Sequence, residues 1–224
     1  MADTELGSRW VEVGPERLGR WVESFAARHG KTVAEPGPSA VVLRAEDGAI
    51  AECHPPFPPL RLPADLPPDP AQVAALVAEH ADADRTVGVL LVRLGGYAAG
   101  VFSGSPPRLV SSKTGSRLVH GRSAAGGWSQ QRFARRREKQ AAGALGAAAD
   151  TAVAVLGPYA KRLDAVVLGG DRRAIATVHA DPRLRPLLGR AVDRFLTVPD
   201  PKLTVLRDTP RLFRAVRIRL SGPA

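Results

Sequence analysis

Cysteine is nearly absent: Cys53 is the only one in 224 residues, so no intrachain disulfide can form and a zinc site of four cysteines is excluded by counting. A reducing cytoplasm is the expected setting. Aromatic residues make up only 5% of the chain, which argues against base stacking as the main way of holding a nucleic acid. No window approaches the ~20 apolar residues of a membrane-spanning helix. The first ten residues, MADTELGSRW, lack the charged and apolar regions of an export signal. The expectation is a soluble, non-exported protein with no membrane partner. Histidines at metal-ligand spacing are missing too: His29, His54, His80, His120 and His179 are scattered, and no metal or other cofactor is expected.

Acidic residues are the other shortage. There are 22 Asp plus Glu against 32 Lys plus Arg, giving a net charge of +10 and a pI of about 10.9. Such an excess points to a polyanionic partner. The remaining composition, 44% hydrophobic and 24% charged, is that of an ordinary globular protein long enough for one domain or two small ones.

The apolar spacing predicts an amphipathic helix through Leu18, Trp21, Val22, Phe25 and Ala26, ending near Gly30. Strand-like sequence from Thr32 to Glu52, with an Asp47-Gly48 dipeptide between two apolar runs, reads as a hairpin. The proline-rich run 54–70 reads as a connector. Asp69 and Pro70 then start a helix reaching His80. RTVGVLLVRL and YAAGVFSG predict two strands turning at Gly95-Gly96, and a third, RLVSSKTGSRLVHGR, is expected to bend or break at Thr114-Gly115. A long helix is expected from Ser129 to Leu156, with an Ala-rich second half suited to close packing on a sheet. Beyond it, DAVVLGG, FLTV, KLTVL and VRIRL are strand candidates, and DRRAIATVHA and PRLRPLLGRAV contain helical segments. The expected fold is α+β, with an α/β-like mixed sheet and packed helices. Residues 1–68 would form a small N-terminal α+β segment and 69–224 the main domain.

The charge is not spread evenly. Between Arg108 and Gln140 stand Arg108, Lys113, Arg117, Arg122, Arg132, Arg135, Arg136, Arg137 and Lys139 with only Glu138 opposing them, a net of +8. Lys202 to Arg219 adds +5, so the rest of the chain sums to −3. On a helix, Arg132, Arg135, Arg136 and Lys139 form one stripe at three- and four-residue spacing, where like charges repel and an anion would relieve them. Arginine predominates over lysine, which suits a bidentate grip on phosphate.

The loop before that helix is not a phosphate-binding loop: G-x-x-x-x-G-K-[ST] is absent, and Gly121, Gly126 and Gly127 are wrongly spaced for a dinucleotide fingerprint. It does contain HGRSAAGGWSQQRFARRRE. This stretch resembles the active loop and following helix of the eukaryotic and archaeal class I peptide release factors, in which a GGQ tripeptide precedes an R-F-A-R-x-R-x-E helix start. Arg132, Phe133, Ala134, Arg135 and Arg137 fill that signature, with Glu138 at its end. The stretch is still more similar to the Vms-like release-factor relatives, whose glutamine is displaced beyond the glycine pair, and in particular to their actinobacterial branch, a predicted peptidyl-tRNA hydrolase family. Trp128 stands where the glutamine of GGQ would be. The resemblance therefore implies Gln130 as the catalytic position, with Gln131 second, on a loop opened by Gly126 and Gly127. It also implies a release-factor middle-domain fold, and as partners the tRNA acceptor end and the large ribosomal subunit.

Glutamine suits that chemistry. The ester joining a peptide to a terminal ribose is activated, so a placed water and a stabilised oxyanion can replace a strong base. A glutamine amide offers two donors and an acceptor and does not titrate. Adjacent glycines allow a close approach that a side chain would obstruct. The RNA would be held by Arg122, Arg132, Arg135, Arg136, Arg137 and Lys139, with His120 at the lip of the loop and Trp128 either anchoring the loop or stacking on a base. Two other readings stay open: cleavage of the tRNA near its 3′ CCA end, and RNA binding without chemistry.

Overall fold

A computed structural model of the chain describes residues 8–63, 67–93, 95–116 and 129–223, with 129–141 described as helix backbone only. The chain opens with strand β1 (Arg9–Val13) and helix α1 (Pro15–His29), followed by β2 (Thr32–Pro36), β3 (Val41–Ala45), β4 (Ile50–His54) and α2 (Pro70–Asp82). Then come β5 (Val87–Arg93), β6 (Gly96–Ser103), β7 (Arg108–Ser116) and the 28-residue α3 (Ser129–Leu156). β8 (Ala165–Gly170), α4 (Arg172–His179), α5 (Arg185–Leu188), β9 (Ala191–Leu196), α6 (Leu203–Phe213) and β10 (Val216–Ser221) complete it.

By contact the chain divides into two units: residues 1–83 with 211–224, and residues 84–210. The expected division lay between residues 68 and 69. Two elements shift it: α2, whose Val73, Ala74 and Val77 lie in the first unit's core, and β10, which pairs antiparallel with both β1 and β4 and so returns the C-terminus to the first unit. No local signal in VRIRL distinguishes one partner sheet from the other.

The first unit is one antiparallel sheet in the order β1-β10-β4-β3-β2, with α1 and α2 contributing to the core. Pro15 begins α1, and its buried stripe is Leu18, Val22, Phe25 and His29, the three- and four-residue spacing of one helix face. The Asp69 carboxylate accepts from the Ala71 amide 3.1 Å away and caps α2. Val73, Ala74, Val77 and Ala81 are the buried side of α2.

The second unit is a mixed sheet in the order β7-β6-β5-β8-β9, antiparallel from β5 through β7 and parallel from β5 through β9. β5 is buried from Val87 to Val92, as expected of a strand covered on both faces. On one face Leu90, Val92, Ala99, Val101 and Val166 share a core with Ala148, Ala149, Ala152, Val155 and Leu156 of α3 and with Ile175 and Val178 of α4. On the other, Leu206 of α6 lies against Gly100 so closely that a Cβ there would sit 2.9 Å from its methyl carbon.

Two expectations need correction. β7 does not break at Thr114-Gly115; it stays paired with β6 through Ser116, and Gly115 makes room for the Tyr97 ring opposite it. KLTVL is not a strand but the start of α6. A short apolar run is ambiguous by itself, and here Leu206, Thr209 and Phe213, all buried, recur at helical spacing. Pro210 stands inside this helix and has no amide to offer the Leu206 carbonyl. The Thr209 hydroxyl donates to that carbonyl instead, at 2.7 Å.

Candidate active site

The glycine–glutamine segment joins an edge strand to the longest helix. β7 ends at Ser116 and α3 begins at Ser129; His120, Arg122, Gly126, Gly127 and Trp128 lie outside the described residues. Gln130, Gln131, Arg132, Arg135, Arg136, Arg137 and Lys139 occupy the first three turns of α3. The structure therefore places these seven positions together on one helix end.

The second half of α3 sets the orientation of the first. Ala144, Ala148, Ala149, Ala152, Val155 and Leu156 are buried on the sheet. Small side chains here let the helix approach closely: a Cβ on Gly88 of β5 would lie 3.2 Å from Leu156. At about 100° per residue, position 130 falls on the azimuth of Ala148 and position 137 on that of Val155. Positions 132, 135, 136 and 139 fall about 140–240° round the helix from Ala148, on the side opposite the packed face. Helical periodicity thus divides the basic run: four positions share one outward side, and position 137 does not belong to it.

A cavity of about 300 Å³ lies beside this helix in the same unit, where β5 and β8 end. Its lining includes Arg93, Tyr97, Ala144, Asp171, Arg173 and Thr177. Sequence reasoning did not single out this cavity, because its residues come from four separate elements. Arg93 is tied down by the Val198 carbonyl at 2.8 Å and by Asp200 at 3.7 Å. The Asp171 carboxylate accepts from the Arg173 and Ala174 amides at 2.8 and 3.0 Å and caps α4. It serves as a helix cap rather than a base. The two glycines that end β8 are structural: Gly170 has φ of 102°, and a Cβ there would collide with the Val92 carbonyl.

Other titratable groups have structural employment. His29, buried, has Nδ1 2.8 Å from Asp47. His80 Nε2 donates to the Pro56 carbonyl at 3.0 Å. Burial pushes the Cys53 thiol up to about 12, which removes it as a nucleophile at neutral pH. Among the described residues no cluster of His, Cys, Asp and Glu could hold a metal ion. No helix among them is long and apolar enough to cross a membrane.

The charge follows the unit boundary. Residues 84–210 carry 21 Lys plus Arg against 9 Asp plus Glu, a net of +12, whereas the first unit has 11 against 13, a net of −2. A basic α+β unit in which a glycine–glutamine segment leads from an edge strand into an arginine helix is release-factor-like. The comparison with family models is specific: the chain belongs to the Actinobacteria/chloroflexi VLRF1 release factor family, whose model matches residues 85–219. No curated protein matches the sequence. Among solved structures, an archaeal translation termination factor, aRF1, is similar at 14% identity and a TM-score of 0.40, covering 91% of this chain and 63% of its own. The Vms1 mitochondrial localization core gives 10% and 0.41, covering 90% and 80%. Pelota from Thermoplasma acidophilum gives 11% and 0.29, covering 93% and 65%. The chain thus spans a little under two thirds of the archaeal factor.

Proposed function

We propose that the protein is a peptidyl-tRNA hydrolase that frees nascent peptide on stalled ribosomes or separated large subunits. The observation that carries this reading is that the family match at 85–219 contains the whole 120–139 stretch, set in the unit that holds the positive charge. Water attacks the ester carbonyl carbon, the tetrahedral oxyanion collapses, and the 3′ ribose oxygen leaves with a proton. The products are a peptide carboxylate and a tRNA with an intact CCA end.

In this reaction the Gln130 amide orients the attacking water, with Gln131 as the second position able to reach it. Gly126 and Gly127 let the backbone close on the ester, and backbone N–H groups of the loop can donate to the oxyanion. Arg132, Arg135, Arg136 and Lys139, on the outward side of α3, grip the phosphates of the acceptor end, while Arg122, His120 and Trp128 hold it at the loop. Arg137 falls at a different azimuth of α3 and lies outside that grip. Because a glutamine does not titrate, Gln130→Ala should lower release without removing any inflection from its pH profile.

The test is product analysis on purified peptidyl-tRNA. Hydrolysis leaves full-length tRNA that can be re-aminoacylated, and Gln130→Ala lowers the rate about 100-fold or more, the scale on which oxyanion or water-positioning groups act. A tRNA shortened at its 3′ end would instead establish endonuclease cleavage. RNA binding with no product would leave a binding module.

A further inference from the structure

The first unit carries a basic surface of its own, distinct from the loop and α3. A groove of about 480 Å³ runs between β1 and α1. Arg9 stands at its β1 side, and Arg17, Arg20 and Arg28 on its α1 side, with Ser24 and the half-buried Trp21 between them. On α1 these arginines and Ser24 recur at three- and four-residue spacing, so they form one stripe beside the buried one. Strand alternation turns Arg9 to the same side of the sheet as Val11 and Val13.

The unit's other arginines show the contrast. On the sheet's opposite face Arg44 meets Glu35 at 2.9 Å, Arg219 meets Glu52 at 2.6 Å and Arg217 meets Glu12 at 4.0 Å. Among the described residues Arg9, Arg20 and Arg28 have no carboxylate within ion-pair reach. Arg17 has only Glu16, at 3.6 Å, with both side chains about two-thirds exposed, a pairing that contributes little. Glu12 is among the residues lining the groove, but strand alternation turns its carboxylate to the opposite face, where it stands 4.0 Å from Arg217. In a unit of net charge −2, then, positive charge is left unmatched in one concavity.

We propose that this groove binds single-stranded RNA, its arginines taking successive phosphates and Trp21, stacked on Phe25 at 5.6 Å, presenting its ring to a base. Guanidinium groups along a concave track beside an aromatic ring are what such a strand requires. An anionic membrane would need apolar side chains flanking the charge, but the exposed residues of α1 are Glu16, Arg17, Arg20, Glu23, Ser24, Ala27 and Arg28. This proposal rests on the reading of the protein as a ribosome-directed hydrolase, because ribosomal RNA supplies the strand.

The groove is tested in the full chain with Arg132, Arg135, Arg136 and Lys139 replaced by alanine, which removes the other basic stripe. Into it go Arg9→Ala, Arg20→Ala and Arg28→Ala, all at exposed positions, with circular dichroism melts confirming the fold. Affinity for a short oligouridylate should fall at least tenfold, and the slope of log K against log salt should shrink by about 2, at about 0.7 per phosphate on a single strand. Trp21→Leu should weaken binding with the slope unchanged. The same three changes in the otherwise natural sequence should leave hydrolysis of free peptidyl-tRNA as it was, and Gln130→Ala should leave oligouridylate binding as it was, so either reading can fail without the other. Unchanged oligouridylate affinity and slope in the triple variant would overturn the proposal. So would loss of binding to polyglutamate or phosphatidylglycerol vesicles alone, which would assign the groove to an acidic protein or a membrane.

Discussion

The two units spend arginine differently. In the first, the sheet's outer face pairs Arg44, Arg217 and Arg219 with Glu35, Glu12 and Glu52, and the unit's charge nearly cancels. In the second, an excess of twelve positive charges accumulates, with the longest basic run on one helix end, next in sequence to the Gly126-Gly127 pair and to Gln130 and Gln131. Paired arginines at such exposed positions contribute little to stability but leave no charge for a partner. A run of positive charge gathered on one helix end raises the local potential for an anion. The overall +10 averages these two situations and describes neither.

Several changes would break or sharpen that contrast. The largest effect on stability is expected from Phe213→Ala in the first unit, where a fully buried ring packs edge-on against Phe57 at 6.0 Å. A loss of about 3–5 kcal/mol in urea denaturation is the outcome for such a truncation. Next, replacing Arg132, Arg135, Arg136 and Lys139 with alanine should lower tRNA affinity about 100-fold at moderate salt and reduce the salt slope by about 3. Replacing Arg44, Arg217 and Arg219 of the first unit should leave that slope unchanged, because their charge is already compensated. Arg137→Ala, off the outward side of α3, should cost less than about threefold in affinity, the cost of a change that removes no phosphate contact.

The smallest effects concern acid stability. The Asp47 carboxyl titrates below its ordinary value, chiefly because the Ala49 amide donates to it, with His29 adding to the effect. A carboxyl lowered in this way stabilises the fold above its unfolded pKa, near 4, and the contribution is lost as pH falls through the folded value. Asp47→Asn should therefore be slightly less stable than the natural protein at pH 7, with the two melting temperatures converging below about pH 4 as the carboxyl protonates.

Much of this was legible in the sequence where the signal is local. The 15-residue α1, the Asp47-Gly48 hairpin, the Asp69 cap and the full extent of α3 were all expected from periodicity and capping chemistry. What escaped depended on distant partners. KLTVL reads as strand until Leu206, Thr209 and Phe213 are seen to share one buried side. Thr114-Gly115 suggests a break until Tyr97 is found packing over the glycine. VRIRL carries no mark that its sheet lies at the other end of the chain. The candidate site was legible as a motif, through its glycine pair, its glutamines and its arginine run. The arginines of α1 were hidden by summation, since the acids around them bring the N-terminal half below zero, although their three- and four-residue spacing was there to read.

The central claim is a division of labour in which arginines hold the tRNA and a glutamine promotes hydrolysis. Single-turnover release from peptidyl-tRNA, measured over increasing protein concentration, separates the two roles. Gln130→Ala should reach saturation at the natural protein's concentration but with a maximal rate about 100-fold lower. The alanine variant of Arg132, Arg135, Arg136 and Lys139 should need far more protein and then approach the natural maximal rate. A Gln130→Ala protein that saturates at the natural rate would contradict the assignment.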